Sequence, residues 1–126
     1  MRITKQEVDE LEILMGQLTS IHTELTALSK KSPNDAVNKF KLELINTVIG
    51  RCNTFLGDKH RPFKEFGSFD IDAVMSNSDV TFVVSLYLQA FENYRSDRIK
   101  LELGDWYYDT AGEPKIQTAP PAKIKE

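Results

Sequence analysis

One cysteine, two histidines and one tryptophan in 126 residues leave little material for several familiar chemistries. Cys52 alone can form neither an internal disulfide framework nor a Cys-based zinc site, and a lone thiol fits a reducing compartment. No run of 18 apolar residues occurs, so no segment reads as a membrane span, and no basic-then-apolar leader follows Met1. The expected location is therefore cytoplasmic. A basic surplus is missing too: Lys+Arg 16 against Asp+Glu 19 gives a net charge of -3 and a pI near 5.4, which argues against a nucleic-acid or anionic-membrane partner. Within residues 31–57, Lys31, Lys39, Lys41 and Arg51 stand against Asp35 and Glu43, too small a surplus to track a phosphate backbone.

What is present is an ordinary globular balance, 40% hydrophobic and 28% charged, enough to bury a core without disulfide or metal. The composition predicts a single helical domain over 1–118 and a disordered tail over 119–126, where Pro and Lys leave nothing to bury. Thr4-Lys5-Gln6-Glu7 reads as a capping box. Beyond it Leu11, Leu14, Leu18, Ile21, Leu25 and Leu28 recur at alternating three- and four-residue spacing, an amphipathic first helix with Gly16 as its weak point. Ser32-Pro33 then predicts a short turn into an antiparallel second helix, with Val37, Phe40, Leu44, Val48, Cys52 and Phe55 as its stripe, Ala36, Ile45, Ile49 and Leu56 widening it, and Gly57 as a left-handed stop.

From Asp58 to Asn77 the helical period breaks, and Phe63, Phe66 and Phe69 recur every third residue in what reads as an ordered loop pinned by its aromatics. Ser76 and Ser78 are hydroxyl caps for a third helix, roughly Asp79 to Leu103, apolar nearly all round in its first half and ending at Gly104. Trp106, Tyr107 and Tyr108, followed by Asp109-Thr110-Ala111-Gly112 and Lys115-Ile116-Gln117-Thr118, read as a small hairpin or aromatic arm. The predicted fold is all-α: an antiparallel bundle of three long helices, an aromatic loop between helices 2 and 3, and a short aromatic C-terminal arm or hairpin.

Motifs that would carry catalysis are incomplete. Trp106 to Glu113 resembles the magnesium- and γ-phosphate-sensing strand of small GTPases, but that chemistry needs a preceding Gly-x-x-x-x-Gly-Lys-Ser/Thr loop, and the segment from Gly50 to Gly57 has the wrong spacing and leads into Asp58. Asp70-Ile71-Asp72 has the spacing of a nucleophile–acid pair without the parallel sheet that holds one, and reads as capping carboxylates. Asp58, His60, Asp70 and Asp72 lack metal-ligand spacing, and Arg51 and His60 are separated by a helix stop, so neither set makes a motif. No cofactor, metal ligand or catalytic residue is expected. The alternative is a metal-dependent helical phosphohydrolase, using Glu7 and Glu10 of helix 1 with carboxylates of a second chain; its second acidic motif is missing here.

Apolar surface is what remains. Three helices with wide stripes predict more apolar area than one small bundle covers, hence a protein partner: a second copy in a homodimer, or another protein. Phe63, Phe66, Phe69, Trp106, Tyr107 and Tyr108 are the predicted anchors, since clustered aromatics dominate interfaces, though aromatics also bury well inside one chain. The expected function is a small non-catalytic interaction module: an adaptor, an inhibitor, or a subunit of a larger assembly.

Overall fold

In the computed structural model, which describes residues 1–112 and 115–122, the capping box at Thr4 forms as the sequence requires. The Thr4 hydroxyl accepts from the Glu7 N–H at 3.1 Å, and the Glu7 carboxylate accepts from the Thr4 N–H at 2.9 Å. Helix α1 (Lys5–Lys31) follows and buries Leu11, Leu14, Leu18 and Leu25 of the predicted seam together with Val8, while Ile21 and Leu28 are only partly buried against the core.

The second helix departs from its predicted frame in two ways. Helix α2 (Lys39–His60) starts at an Asn38 cap instead of Pro33. Residues 32–38 are not helical: a turn at Pro33-Asn34 leads into a stretch that pairs with the segment entering the third helix, where the Val37 N–H donates to Met75 O at 2.9 Å, the Asn77 N–H donates to Asp35 O at 2.8 Å, and Ala36 bridges to Ser76. The buried line of α2 is also rotated. Leu42, Ile45, Ile49, Cys52 and Leu56 face inward, whereas Phe40 and Leu44 of the predicted stripe are 71% and 53% exposed. Gly57 has φ 67° and breaks the helical path as expected, with one further turn to His60.

Helix α3 (Asn77–Ser96) is capped by the Ser76 hydroxyl, which accepts from the Asp79 N–H at 3.1 Å. It ends at Ser96, not Leu103. Residues beyond it form strand β1 (Ile99–Glu102), antiparallel to β2 (Asp105–Tyr108), with Ile99 opposite Tyr108 and Leu101 opposite Trp106. Ile99-Lys100-Leu101-Glu102-Leu103 alternates apolar and polar with a period of two, a strand pattern that wins once a turn can close it. Leu103 and Gly104 supply that turn with φ of 52° and 88°, the type I′ pattern of two-residue hairpins. The predicted pairing of the aromatic arm with 115–118 is also present: the Tyr108 N–H donates to Ile116 O and the Thr118 N–H to Trp106 O, both at 2.9 Å. The protein is thus mostly helical, with three helices packed as a bundle and a small antiparallel hairpin.

Leu103 sits at positive φ and is 98% exposed, a conformation that costs a β-carbon-bearing residue about 1 kcal/mol and that Asn tolerates better. Leu103→Asn is expected to stabilise the fold by about 0.5–1 kcal/mol in urea titration; no gain would place the hairpin turn in another geometry.

Helix direction follows from pairs of contacts. Glu24 meets Lys41 and Glu10 meets Arg51, so α1 and α2 are antiparallel. Ser29 meets Thr81 at 2.9 Å and the Met1 amine reaches Asp97 O at 3.2 Å, so α1 and α3 are antiparallel too. Asn53 then meets Tyr87, and His60 meets Tyr94, which makes α2 and α3 parallel. A parallel pair needs a connection that runs back along the bundle, and the aromatic segment provides it. The loop is therefore a crossover, and α1 packs most extensively on α3.

The N-terminal residues and the hairpin close one end. The Ile3 N–H donates to Asp109 O at 3.1 Å, and Tyr108 is buried near Glu12. Arg98 is buried over the Tyr94 ring, 3.6 Å from its centroid, and donates to Tyr94 O at 2.9 Å, a cation–π contact that offsets desolvation. Residues 119–122, where the composition predicts disorder, are held to α3 by polar contacts: Arg95 donates to Ala119 O and Pro120 O, and the Ala122 N–H donates to Glu92. The rest of the predicted tail, 123–126, lies outside the described residues. Among the described residues, no helix is long and apolar enough to cross a membrane.

Candidate functional site

The six aromatics singled out as anchors divide between core and edge. Phe69 is 5% exposed and Tyr108 2% exposed, both inside the core, while Phe63 and Phe66 are partly buried and packed against it. The three phenylalanines form an edge-to-face ladder, with centroids 6.1 Å and 5.0 Å apart, and Phe66 continues it to Tyr87 at 6.4 Å. Backbone recognition locks this ladder. Asn46 donates to Phe69 O at 2.8 Å and accepts from the Phe69 N–H at 2.7 Å; Asn53 donates to Phe66 O at 3.2 Å and accepts from the Tyr87 hydroxyl at 2.6 Å. Arg61 donates to Phe63 O and Phe66 O. These side chains satisfy a crossover that would otherwise carry orphaned carbonyls. Trp106 and Tyr107 are half-buried on β2, and Lys115 lies 5.6 Å from the Tyr107 ring centroid.

The two carboxylates of the phosphohydrolase alternative are engaged within the chain. Glu7 is held by the capping box and Glu10 lies 3.4 Å from Arg51. Burial pushes the Cys52 thiol up to about 12, against a smaller lowering by Arg51, so it stays protonated and unreactive at neutral pH. His60 sits edge-on to Tyr94, with ring centroids 5.2 Å apart; burial first, then Arg98 and Lys59, lower its pKa. Among the described residues, no group of three or more His, Cys, Asp or Glu is placed to hold a metal ion.

A groove between α1 and α2 is where unassigned apolar surface collects. It has a volume of about 610 Å³ and is walled by Ile13, Ile21 and Leu25 of α1 and Leu44, Ile45 and Val48 of α2. Ile13 and Leu44 are about half exposed, and Phe40, one turn before Leu44, is 71% exposed. Gly16 lies on the α1 wall, with open space where a β-carbon would stand. The Gln17 Oε1 is buried at this wall without a hydrogen-bond partner. One interhelical ion pair, Glu24–Lys41 at 2.5 Å, lies on its lining.

Sequence reasoning missed this groove although its signal is in α2. That helix carries two apolar lines, Phe40-Leu44-Val48 and Leu42-Ile45-Ile49-Cys52-Leu56, more than one buried face of a three-helix packing uses. Compared with known proteins, the chain matches no family model, no curated protein and no solved structure.

Proposed function

We propose that the chain is a small non-catalytic interaction module, serving as an adaptor, an inhibitor or a subunit of a larger assembly, and that the α1/α2 groove is the surface through which it works. The observation that carries this reading is a concave apolar surface with Ile13 and Leu44 both about half exposed on its walls. Monomeric proteins rarely leave such residues contiguous, and a polar rim around an apolar floor is the usual anatomy of a binding surface. The aromatic crossover supports the reading indirectly, because Asn46 and Asn53 rigidify α2 from its far side and a preformed wall binds with less ordering cost.

Leu44→Glu tests it. The position is 53% exposed, so the fold should stand, with helical circular dichroism unchanged and melting within a few degrees of the parent. Capture of the native partner by the tagged protein is expected to fall by a factor of roughly ten or more. Undiminished capture with an intact fold would remove the groove from the function.

A further inference from the structure

We propose that the outer edge of β2, together with the buried Arg95–Glu92 pair of α3, is a recognition site for an extended, proline-containing segment of a partner protein, and that residues 116–122 occupy it as an autoinhibitory strap. This surface is separate from the α1/α2 groove and does not depend on it. One edge of β2 is taken by β1, and the strap takes the other, bridging antiparallel from Gln117 to Tyr107. The Tyr108 N–H donates to Ile116 O and the Thr118 N–H to Trp106 O, both at 2.9 Å. Beyond this short ladder the strap crosses α3. There Arg95 donates to Thr118 Oγ1 at 2.8 Å, Ala119 O at 2.9 Å and Pro120 O at 3.0 Å, and the Glu92 carboxylate accepts from the Ala122 N–H at 2.9 Å.

Two features distinguish a ligand in its site from a piece of the core. The first is which groups are recognised. Except for the Thr118 hydroxyl, the strap atoms in these hydrogen bonds belong to the main chain, and any extended segment offers the same groups. Strand addition to a sheet edge obtains its affinity in this way. The selective part is a hydroxyl two residues ahead of a proline: Thr118 meets Arg95, while Pro120 and Pro121 favour an extended backbone and have no N–H to satisfy. The second feature is the division of burial. Arg95 is 6% exposed and the Glu92 side chain 16% exposed, so the receiving groups are fixed in the fold. Ala119, Pro120 and Ala122 are exposed, and Thr118 and Pro121 only half-buried. A segment that buries so little apolar surface opens locally at low cost. When it does, Arg95 and Glu92 still hold each other through two hydrogen bonds of 2.8 Å, and the site is left formed and open. A tethered strap competes at an effective concentration on the order of millimolar, so a partner segment must exceed that to enter. That competition is the inhibition.

The test uses the full chain and a labelled synthetic peptide of residues 115–122, followed by fluorescence anisotropy. Thr118→Pro/Ala122→Pro in the full chain removes two strap N–H donors and the hydroxyl but leaves Arg95, Glu92 and β2 untouched. This variant is expected to keep its helical circular dichroism and to bind the peptide roughly tenfold or more tighter than wild type does. A peptide carrying the same two prolines should not bind, and adding Arg95→Gln to the strap variant should weaken binding by roughly tenfold or more. In the wild type, the Thr118 and Ala122 amides should exchange well before the buried amides of α1. A folded strap variant that takes up no peptide at millimolar concentration overturns the proposal. So does a wild-type strap as protected as α1, or a strap variant that loses its helices, since either makes the strap part of the fold. Light scattering closes the test: a wild-type dimer that dissociates in the strap variant would mean that copies exchange straps, and would overturn the foreign partner.

Discussion

Phe69→Ala is expected to lower the unfolding free energy by about 3–5 kcal/mol, the range for deleting a buried phenylalanine, and so to remove a large part of the 5–15 kcal/mol typical of a small domain. Phe69 is in the core, its ring lies 5.0 Å from Phe66, and its backbone is clamped in both directions by Asn46. Truncating the ring opens a cavity between the crossover and α2 that neither side can collapse to fill while Asn46 holds the backbone in place. Phe40→Ala is the matched control: at 71% exposure it should cost less than about 1 kcal/mol. Urea titration of both variants decides the matter. Equal small losses would mean that the phenylalanine ladder is surface, and would return Phe63, Phe66 and Phe69 to the role of partner anchors.

Replacing Arg95 by Ala should cost about 3 kcal/mol and free the C-terminal strap. The guanidinium is buried and makes five hydrogen bonds: two to the Glu92 carboxylate at 2.8 Å each, and the others to Thr118 Oγ1, Ala119 O and Pro120 O at 2.8–3.0 Å. Removing it strands a carboxylate that is only 16% exposed, and breaking one side of a buried pair is costly because the remaining charge is uncompensated. The strap can swing into water, so the cost belongs at the low end of that class. Amide exchange should show it directly, with protection lost at Thr118 and Ala122 before any loss in α1.

Acid should loosen the same contact. Burial pushes the Glu92 carboxyl up, but the hydrogen bonds from Arg95, the Ala122 N–H and Ser96 outweigh it and hold its pKa below the ordinary 4.5. A carboxylate whose folded pKa is depressed contributes its full stability above about pH 4.5, and that contribution is lost as the pH falls from there through the lowered value. In Arg95→Ala this acid-dependent component should shrink. A parent and variant with the same acid profile would show that Glu92 is not the group responsible.

Much of the local structure was legible from residue types alone, because capping and turn chemistry act within four residues. Thr4 with Glu7 started α1, Ser76 started α3, and Gly57 broke α2, each through a hydrogen bond or a backbone angle that needs no distant partner. The leucine line of α1 pointed to the core for a similar reason: Leu11, Leu14, Leu18 and Leu25 make the dominant apolar stripe of that helix, and it is the one buried. Where two faces compete, spacing is silent. On α2 both apolar lines have helical period, and the choice between them was made by the crossover, whose Phe66 and Phe69 carbonyls require Asn53 and Asn46 on the side toward α3. That rotation is what leaves Phe40 and Leu44 on the outside and creates the groove.

By itself, then, the chain determined its mostly helical character, the start of α1 and of α3, the buried seam of α1 and the absence of any long apolar span, all consequences of nearest-neighbour chemistry and composition. Tertiary structure decided the rest. Whether Ile99–Leu103 continued a helix or turned back as a strand depended on docking Tyr108 beside Glu12 and Ile3, and whether residues 33–38 were helix or ribbon depended on pairing with 75–78. A hydrogen bond between segments forty or ninety residues apart is not encoded in either segment alone, since each offers the same donors and acceptors to helix, strand and water. Only the packed fold, in which some of those options are buried and must be satisfied, selects among them.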